Sequence, residues 1–482
     1  MYFMGGISPE VLLSAVVLGL VLYGINFSIV RISIGVFLLV VVVSVKIWVG
    51  SIYVSDYLIC WTNGLLLVNS WVVVSKIIIV VGLVSLLLMY GFPRLEIGVE
   101  QRERDKGFWV YTNEGSWVVL VLIIALSSLL LVSSINWLSI YLAMELQTLT
   151  LFILVAIRRD SVYSTEAGLK YFVLGAVSSG LFLFGCTLLY GLTGETSIQG
   201  VNSILISDMG KILITISLLF KLSAAPFHMW APDVYEGAPT IITALLATVP
   251  KVAVFSILVQ IGPVINVILV CAVLSVVYGS IGALNQTKIK RLLAYSGIGH
   301  MGFILFGVGV GSFESLQASL IYMVIYIIMA VCVFSIVLSL KLTKTLIVEI
   351  SGLSRKDPVL ALTLALVFLS TAGIPPLAGF LSKWLILLAG VSSGYYLVSM
   401  VVVLSSVIAG VYYVRLVQII FFPFGMADYS VLIWQRALRK EQRINLSRSL
   451  LIGFTSFMVL FLMISPSFLL QITHDAVISL YL

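Results

Sequence analysis

Apolar residues run almost unbroken along this chain for roughly 17–25 positions at a time, the length that crosses a bilayer as a helix. Short polar breaks separate the runs. About fourteen such stretches are predicted, near 9–29, 32–50, 65–90, 116–134, 136–157, 164–190, 210–226, 241–260, 263–284, 292–310, 316–340, 360–388, 395–421 and 450–470. The longest polar segments, Gly91 to Gly115 and Gly425 to Ser449, have the length of loops or a surface helix, not of a domain. The pattern therefore predicts an all-α polytopic membrane protein with no soluble domain.

The polar breaks carry a second pattern. Taken alternately, one set holds Arg31, then Arg94, Arg102, Arg104 and Lys106, then Arg158 and Arg159, then Lys288, Lys290 and Arg291. It continues with Lys341, Lys344, Arg355 and Lys356, then Arg415, Arg436, Arg439, Lys440, Arg443 and Arg448. The other set holds Asp56, Glu195, Asp208, Glu314, His474 and Asp475, with Lys211 at a helix mouth. This is a positive-inside bias sustained over every turn, and it predicts both termini on the outer face. The net charge of +7 is thus topological and does not point to nucleic acid.

Composition agrees. The 482 residues are 61% hydrophobic and 10% charged, with a mean hydropathy of +1.19, against roughly 25% charged residues in soluble domains. Met1 to Glu10 lacks the basic stretch of a cleavable signal, so direct insertion from a membrane-bound ribosome is expected, as in a bacterium or an organelle. Cys60, Cys186, Cys271 and Cys332 are far apart in apolar surroundings. They read as small buried hydrophobes, not as metal ligands. No nucleotide-binding fingerprint is present.

The informative residues are charges inside spans, where each costs roughly 2.5–3.5 kcal/mol or more unless paired or hydrated. Lys221, Lys251 and Lys383 lie about 15 Å deep at 1.5 Å per residue, too far to snorkel. Glu145 is similarly deep; Lys170 and Lys76 are open to a snorkelling reading. Two of these lysines adjoin helix breaks. Pro226 follows Lys221 by five residues, and Gly373-Ile374-Pro375-Pro376 precedes Lys383. Proline interrupts the helical ladder, and within a membrane such a break must be buried in protein or face water. Two interrupted spans five helices apart match transporters built from inverted repeats. Spans four to eight and nine to thirteen are read as two inverted five-helix units, with helices 7 and 12 broken. The chain then divides into 1–110, 111–260, 261–422, and 423–482 with an amphipathic loop and a last helix.

The segment Phe220-Lys221-Leu222-Ser223-Ala224-Ala225-Pro226-Phe227-His228-Met229-Trp230-Ala231-Pro232-Asp233-Val234-Tyr235-Glu236-Gly237-Ala238-Pro239-Thr240 resembles the subunit 2 family of respiratory NADH:ubiquinone oxidoreductase (complex I), called subunit N in bacteria. Tyr141 to Gln147, Ser164 to Phe172, Arg291 to Gly302 and Gly373 to Trp384 fit the same family in order, so the resemblance spans roughly residues 110–420. Subunits 4 and 5, the multisubunit sodium/proton antiporters and a plastid NAD(P)H dehydrogenase-like complex are the alternatives. The form Ala231-Pro232-Asp233-Val234-Tyr235-Glu236-Gly237 and Lys383 favour subunit 2, and His228-Met229-Trp230-Ala231 favours its mitochondrial version.

The resemblance implies a proton-translocating membrane-arm subunit in the mitochondrial inner membrane, or alternatively a bacterial plasma membrane, with basic loops on the matrix side. It would bind no cofactor itself. FMN, iron–sulfur clusters, NADH and ubiquinone would belong to partner subunits, and subunits 4, 4L and lipids including cardiolipin would be its neighbours. The implied site is Glu145 paired with Lys221, Lys251 as central relay and Lys383 as outlet, with Lys170, His300 and His228 as further members. The two histidines equally fit satisfied interior residues. A lysine in water holds its proton up to a pKa of about 10.4; burial disfavours the charged amine and a neighbouring carboxylate favours it. Separation of the Glu145–Lys221 pair would therefore send the proton on to Lys251.

Overall fold

The computed structural model describes residues 9–22, 59–61, 66–90, 109–158, 160–198, 208–262, 264–340, 342, 345–422 and 445–481. The expected span 32–50 lies outside them, as do Arg31, Asp56, Arg94, Arg102, Arg104, Lys106, Arg159, Lys341, Lys344, Arg436, Arg439, Lys440, Arg443 and most of the two long polar segments.

The described residues are helical apart from connections and one small ribbon. The helices begin with α1 (Pro9–Leu22), α2 (Ser70–Tyr90), α3 (Trp109–Ser133), α4 (Trp137–Val155) and α5 (Val162–Thr193). The seventh apolar stretch, 210–226, is helical only as far as Lys221 in α6 (Asp208–Lys221), and a short α7 (Trp230–Gly237) follows it. There follow α8 (Thr240–Ile261), α9 (Ile265–Leu284), α10 (Ile289–Val310), α11 (Phe313–Ser339) and a short α12 (Leu353–Lys356). The expected span 360–388 is likewise two pieces, α13 (Pro358–Ala372) and α14 (Ala378–Ser392), before α15 (Tyr396–Phe421), α16 (Leu446–Ile464) and α17 (Ser467–Tyr481). Among the described residues, nine helices are long and apolar enough to cross a membrane.

Three features depart from the sequence expectation. Ile59–Trp61 (β1) pairs antiparallel with Leu66–Val68 (β2), so the start expected for the third span is extended, not helical. Asp233 to Gly237, expected as a loop, is the body of α7. The last span ends at Ile464, and its tail turns at Pro466 into α17. That helix is tied to the bundle: Trp71 N–H donates to Ser479 Oγ at 3.0 Å, and Gln317 donates to the Leu470 carbonyl at 3.0 Å.

The helices sort by environment. Of the apolar windows of α8 and α11, 94% and 89% are buried, against 28% each for α5 and α15. The first two are therefore central columns, and the latter present their apolar flanks outward, as lipid-facing helices do. Helices α9 and α10 approach so closely that a Cβ on Gly279 would lie 2.5 Å from the Gly299 nitrogen. Only glycine permits that backbone contact, and it holds the His300 helix rigidly against α9.

Helix α1 is anchored by charge. Glu10, in its first turn, forms an ion pair with Lys76 of α2, both nearly fully buried, and Ser133 at the end of α3 donates to the same carboxylate at 3.3 Å. Lys76 therefore does not snorkel; it is paired. Removing one member leaves the other charge buried alone, at a cost of about 3–5 kcal/mol. Lys76→Met is expected to lower the thermal stability of the purified assembly, and Glu10→Gln combined with it to recover most of the loss. An unchanged melting temperature in the single variant would exclude the pair as a stabilising contact.

Candidate functional site

The two broken spans solve one chemical problem. A helix that stops inside an apolar layer leaves its last carbonyls without donors. At the first break, Lys221 is the final residue of α6, and its ammonium lies 3.5 Å from the Gly175 carbonyl of α5. Trp230 Nε1, from α7, donates to the Phe220 carbonyl at 3.0 Å. Ser223 turns the chain away with a φ of +58°. At the second break, α13 ends at Gly373, whose φ is +90°. Lys383 belongs to the following half-helix yet reaches back, donating to the Thr371 carbonyl at 3.0 Å and the Ala372 carbonyl at 2.8 Å. Lys383 thus places a cation at the carboxyl end of a half-helix, where the helix dipole favours it, whereas the Lys221 ammonium is held by the neighbouring α5. The chain also passes close at this point, since a Cβ on Gly379 would collide with the Ser370 carbonyl.

Lys251 occupies the middle of α8 and is 2% exposed. It follows Pro250, whose missing N–H leaves a carbonyl one turn back without its helical donor. Its ammonium donates to the Tyr326 hydroxyl at 3.3 Å and lies 5.9 Å from the centre of the Tyr235 ring. His300 sits on α10 with both ring nitrogens engaged: Nδ1 is 2.8 Å from the Tyr322 hydroxyl and Nε2 is 3.3 Å from that of Tyr413. Its ring lies 5.5 Å from that of Tyr326, the partner of Lys251, and it borders one cavity with Lys383.

Two small cavities flank it. One of about 30 Å³ is bordered by Ser296, His300, Tyr326, Thr371 and Tyr413. The other, about 20 Å³, adds Lys383 and Tyr412 to Ser296, His300, Thr371 and Tyr413. A water needs roughly 10–15 Å³ of such space and two to four polar partners, and both cavities offer that. Lys251, His300 and Lys383 are therefore brought into one polar tract, joined by Tyr322, Tyr326 and Tyr413. Sequence reasoning missed the tyrosines; a hydroxyl costs far less to bury than a charge, so nothing singled them out.

The remaining expected residues fall differently. Glu145 is half-buried on α4, and its carboxylate accepts from Thr148 at 3.2 Å. It forms no ion pair with Lys221 in this structure, because the Lys221 ammonium turns to the Gly175 carbonyl instead. Lys170 is not deep: its side chain is 42% exposed and pairs with Glu166 at 2.8 Å and Asp233 at 2.9 Å. His228 packs its ring on Tyr278 of α9, centroids 5.6 Å apart, and touches none of the candidate lysines.

Around Lys170 runs a ladder of alternating charge. Asp233 also meets Arg291 at 3.4 Å, Arg291 meets Glu236 at 3.4 Å, and Glu236 pairs with Lys288. Lys290 donates to the Ala238 carbonyl at 2.7 Å, capping α7. These basic residues, expected as loop cations, bind α7 to the start of α10. Among the described residues no cluster of three or more His, Cys, Asp or Glu could hold a metal ion.

Broken helices ended by lysines around a buried Lys–Tyr–His tract define the class: a polytopic, antiporter-like membrane subunit. Residues 134–409 match the family described as NADH:quinone oxidoreductase/Mrp antiporter, TM. The NADH-ubiquinone oxidoreductase chain 2 of Metridium senile is 62% identical over 376 residues, covering 75% of this chain and 97% of that protein. The NADH-quinone oxidoreductase subunit N of Jannaschia sp. is 44% identical over 333 residues, 65% of this chain and 68% of its own. A chain in the structure of respiratory complex I from Thermus thermophilus superposes with a TM-score of 0.79 at 25% identity, covering 96% of this chain and 98% of that one. The chain belongs to the NADH:quinone oxidoreductase/Mrp antiporter family, on its chain 2 (subunit N) branch.

The second break yields a test. A Cβ at Gly373 would lie 2.9 Å from Lys383 Cδ and 3.1 Å from its ammonium, at a φ that L-residues rarely adopt. Gly373→Ala is expected to cost about 1–3 kcal/mol and to push Lys383 off the Thr371 and Ala372 carbonyls. Proton pumping by the reconstituted assembly should fall more than the amount of assembled complex does.

Proposed function

We propose that this chain is a proton-translocating subunit of the membrane arm of an NADH:ubiquinone oxidoreductase. Electron transfer in partner subunits, which would hold FMN, the iron–sulfur clusters and the NADH and ubiquinone sites, would drive proton movement through its Lys/Glu residues. The carrying observation is the tract from Lys251 through Tyr326, His300 and Tyr413 to Lys383, with space for water on either side of His300.

In this reading the bundle has fourteen spans, with helices four to eight and nine to thirteen as two inverted repeats. The lysine-ended breaks of α6/α7 and α13/α14 are the corresponding points of the two repeats. The division into residues 1–110, 111–260, 261–422 and 423–482 follows the same scheme. Lys170, with Glu166 and Asp233, stands at the basic-side mouth; Glu145 and Lys221 form the first buried station, Lys251 the centre and Lys383 the outlet. The unpaired arrangement of Glu145 and Lys221 corresponds to the state in which the proton is free to move inward. His300 is the relay histidine, whereas His228, stacked on Tyr278, is a packing residue beside the break. The basic loops would face the matrix of a mitochondrial inner membrane, with complex I subunits 4 and 4L and lipids, cardiolipin among them, as neighbours. The shared family with antiporters supports a second reading, a subunit of a sodium/proton antiporter.

The test is pumping by the intact complex in sealed vesicles. Lys221→Ala, Lys251→Met, Lys383→Ala and Glu145→Ala should all assemble, and each should impair the proton gradient formed during NADH oxidation. Normal coupled pumping in all four variants would sink the assignment; sodium-dependent exchange without NADH would favour the antiporter reading.

A further inference from the structure

Helix α7 carries a residue that the proposed route does not use. Tyr235 is 2% exposed, and its hydroxyl has no hydrogen-bond partner among the described residues. A buried hydroxyl left without a partner costs roughly 1–3 kcal/mol, so its retention at the centre of a membrane protein requires a reason. Its neighbours supply one. On one side is Lys251, whose ammonium lies 5.9 Å from the Tyr235 ring centre and donates to the Tyr326 hydroxyl. On the other side α7 packs against α5, where the ring of Tyr171 meets that of Trp230 edge-on at 5.3 Å. Trp230 is the residue that donates to the end of α6. Helix α7 thus reaches the end of α6 beside Lys221 through Trp230 and Lys251 through Tyr235, across an interval that no hydrogen bond among the described residues bridges.

We propose that Tyr235 is a proton-relay residue, its hydroxyl holding a bridging water and linking the Lys221 end of α6 to Lys251. This rests on the proton-translocating reading above. The transfer is balanced. The Lys221 ammonium gives a proton to the bridging water, the water passes one to the Tyr235 oxygen, and the Tyr235 O–H proton moves to a neutral Lys251 amine, so that Lys221 ends neutral and Lys251 ends as the ammonium. The ring ends as it began, no charge remains on it, and no oxidant or reductant is required.

The placement of α7 gives the relay a fixed position. Its outer side is held by Asp233 and Glu236 to Arg291 and by Glu236 to Lys288. Its end packs so closely on α5 that a Cβ at Gly237 would strike the Tyr163 carbonyl and Ala167. Tyr235, between the two carboxylates in sequence, is thereby directed into the interior by contacts that do not involve it.

The experiment uses the intact complex in vesicles with Tyr235→Phe, which keeps the ring and removes only the hydroxyl. Assembly should be unchanged, and the proton flux per NADH oxidised should fall roughly tenfold or more, in the range that loss of one proton-transfer group produces. Tyr235→His, which restores a titratable atom, should recover part of the flux and move its pH profile, an effect that a merely structural role would not have. High-resolution density of the unmodified complex should place a water about 2.6–3.2 Å from the Tyr235 oxygen. Normal pumping by Tyr235→Phe alongside a defective Lys251→Met would overturn the relay and leave the proton-translocating reading intact. Normal pumping by both would overturn the two together. If Tyr235→Phe fails to assemble, an absent water at that oxygen in the unmodified complex overturns the relay.

Discussion

A helix interrupted within an apolar layer must find donors for its terminal carbonyls, and this requirement organises the molecule. At the end of α6 the donors are the Ser223 and Ala224 backbone N–H groups and Trp230 Nε1; at the end of α13 Lys383 reaches back over a glycine turn. At that second break the helix end and the lysine are mutually dependent. Without the amine, the Thr371 and Ala372 carbonyls would be orphaned; without the break, the amine would have no acceptors at that depth. An amine that loses its proton keeps two N–H donors, so the carbonyls remain satisfied in either protonation state. The same contacts that make the break tolerable leave the charge on the lysine free to change.

Contrast with the Glu10–Lys76 pair sharpens the point. There a carboxylate and an ammonium are locked together in the interior, and moving a proton between them would strand neutral groups in a site shaped for ions. Lys251 and Lys383 have neutral oxygens as their hydrogen-bond partners instead: a tyrosine hydroxyl and two carbonyls. Around His300 the groups are tyrosine hydroxyls, which both donate and accept. Among the described residues, buried charge thus includes an ion pair that fastens α1 to the bundle and lysines held by neutral oxygens, which leave the charge on the amine free to change.

Much of this was legible in the sequence, for identifiable reasons. The apolar helices of a polytopic membrane protein were, because apolar runs of bilayer length are rare outside membranes. The depth of Lys251 and the two breaks were, because prolines and charges are costly in such runs. The acceptors of Lys383 were not: the ammonium crosses the break to carbonyls eleven and twelve residues earlier, a reach set by the turn at Gly373. Lys170 was ambiguous because its partner Asp233 lies 63 residues away in sequence. Helix α7 is only eight residues long and contains Pro232, so it carries too little periodic signal to be told from a loop. The tyrosines of α10's surroundings share a residue type with lipid-interface anchors, and only three-dimensional proximity to His300 separates them.

The alternating ladder of Lys170, Asp233, Arg291, Glu236 and Lys288 places two electrostatic regimes in one molecule. Its members other than Glu236 are more than a third exposed, so dissolved ions reach them and weaken their mutual attraction over about 8 Å at physiological ionic strength. The tract around His300 is buried, with Lys251 2%, His300 7% and Lys383 8% exposed. Salt therefore tunes how firmly α7, and Tyr235 with it, is held at the basic face. Ionic strength becomes a dial on mechanical stiffness at the rim of a protein whose central charges lie out of its direct reach.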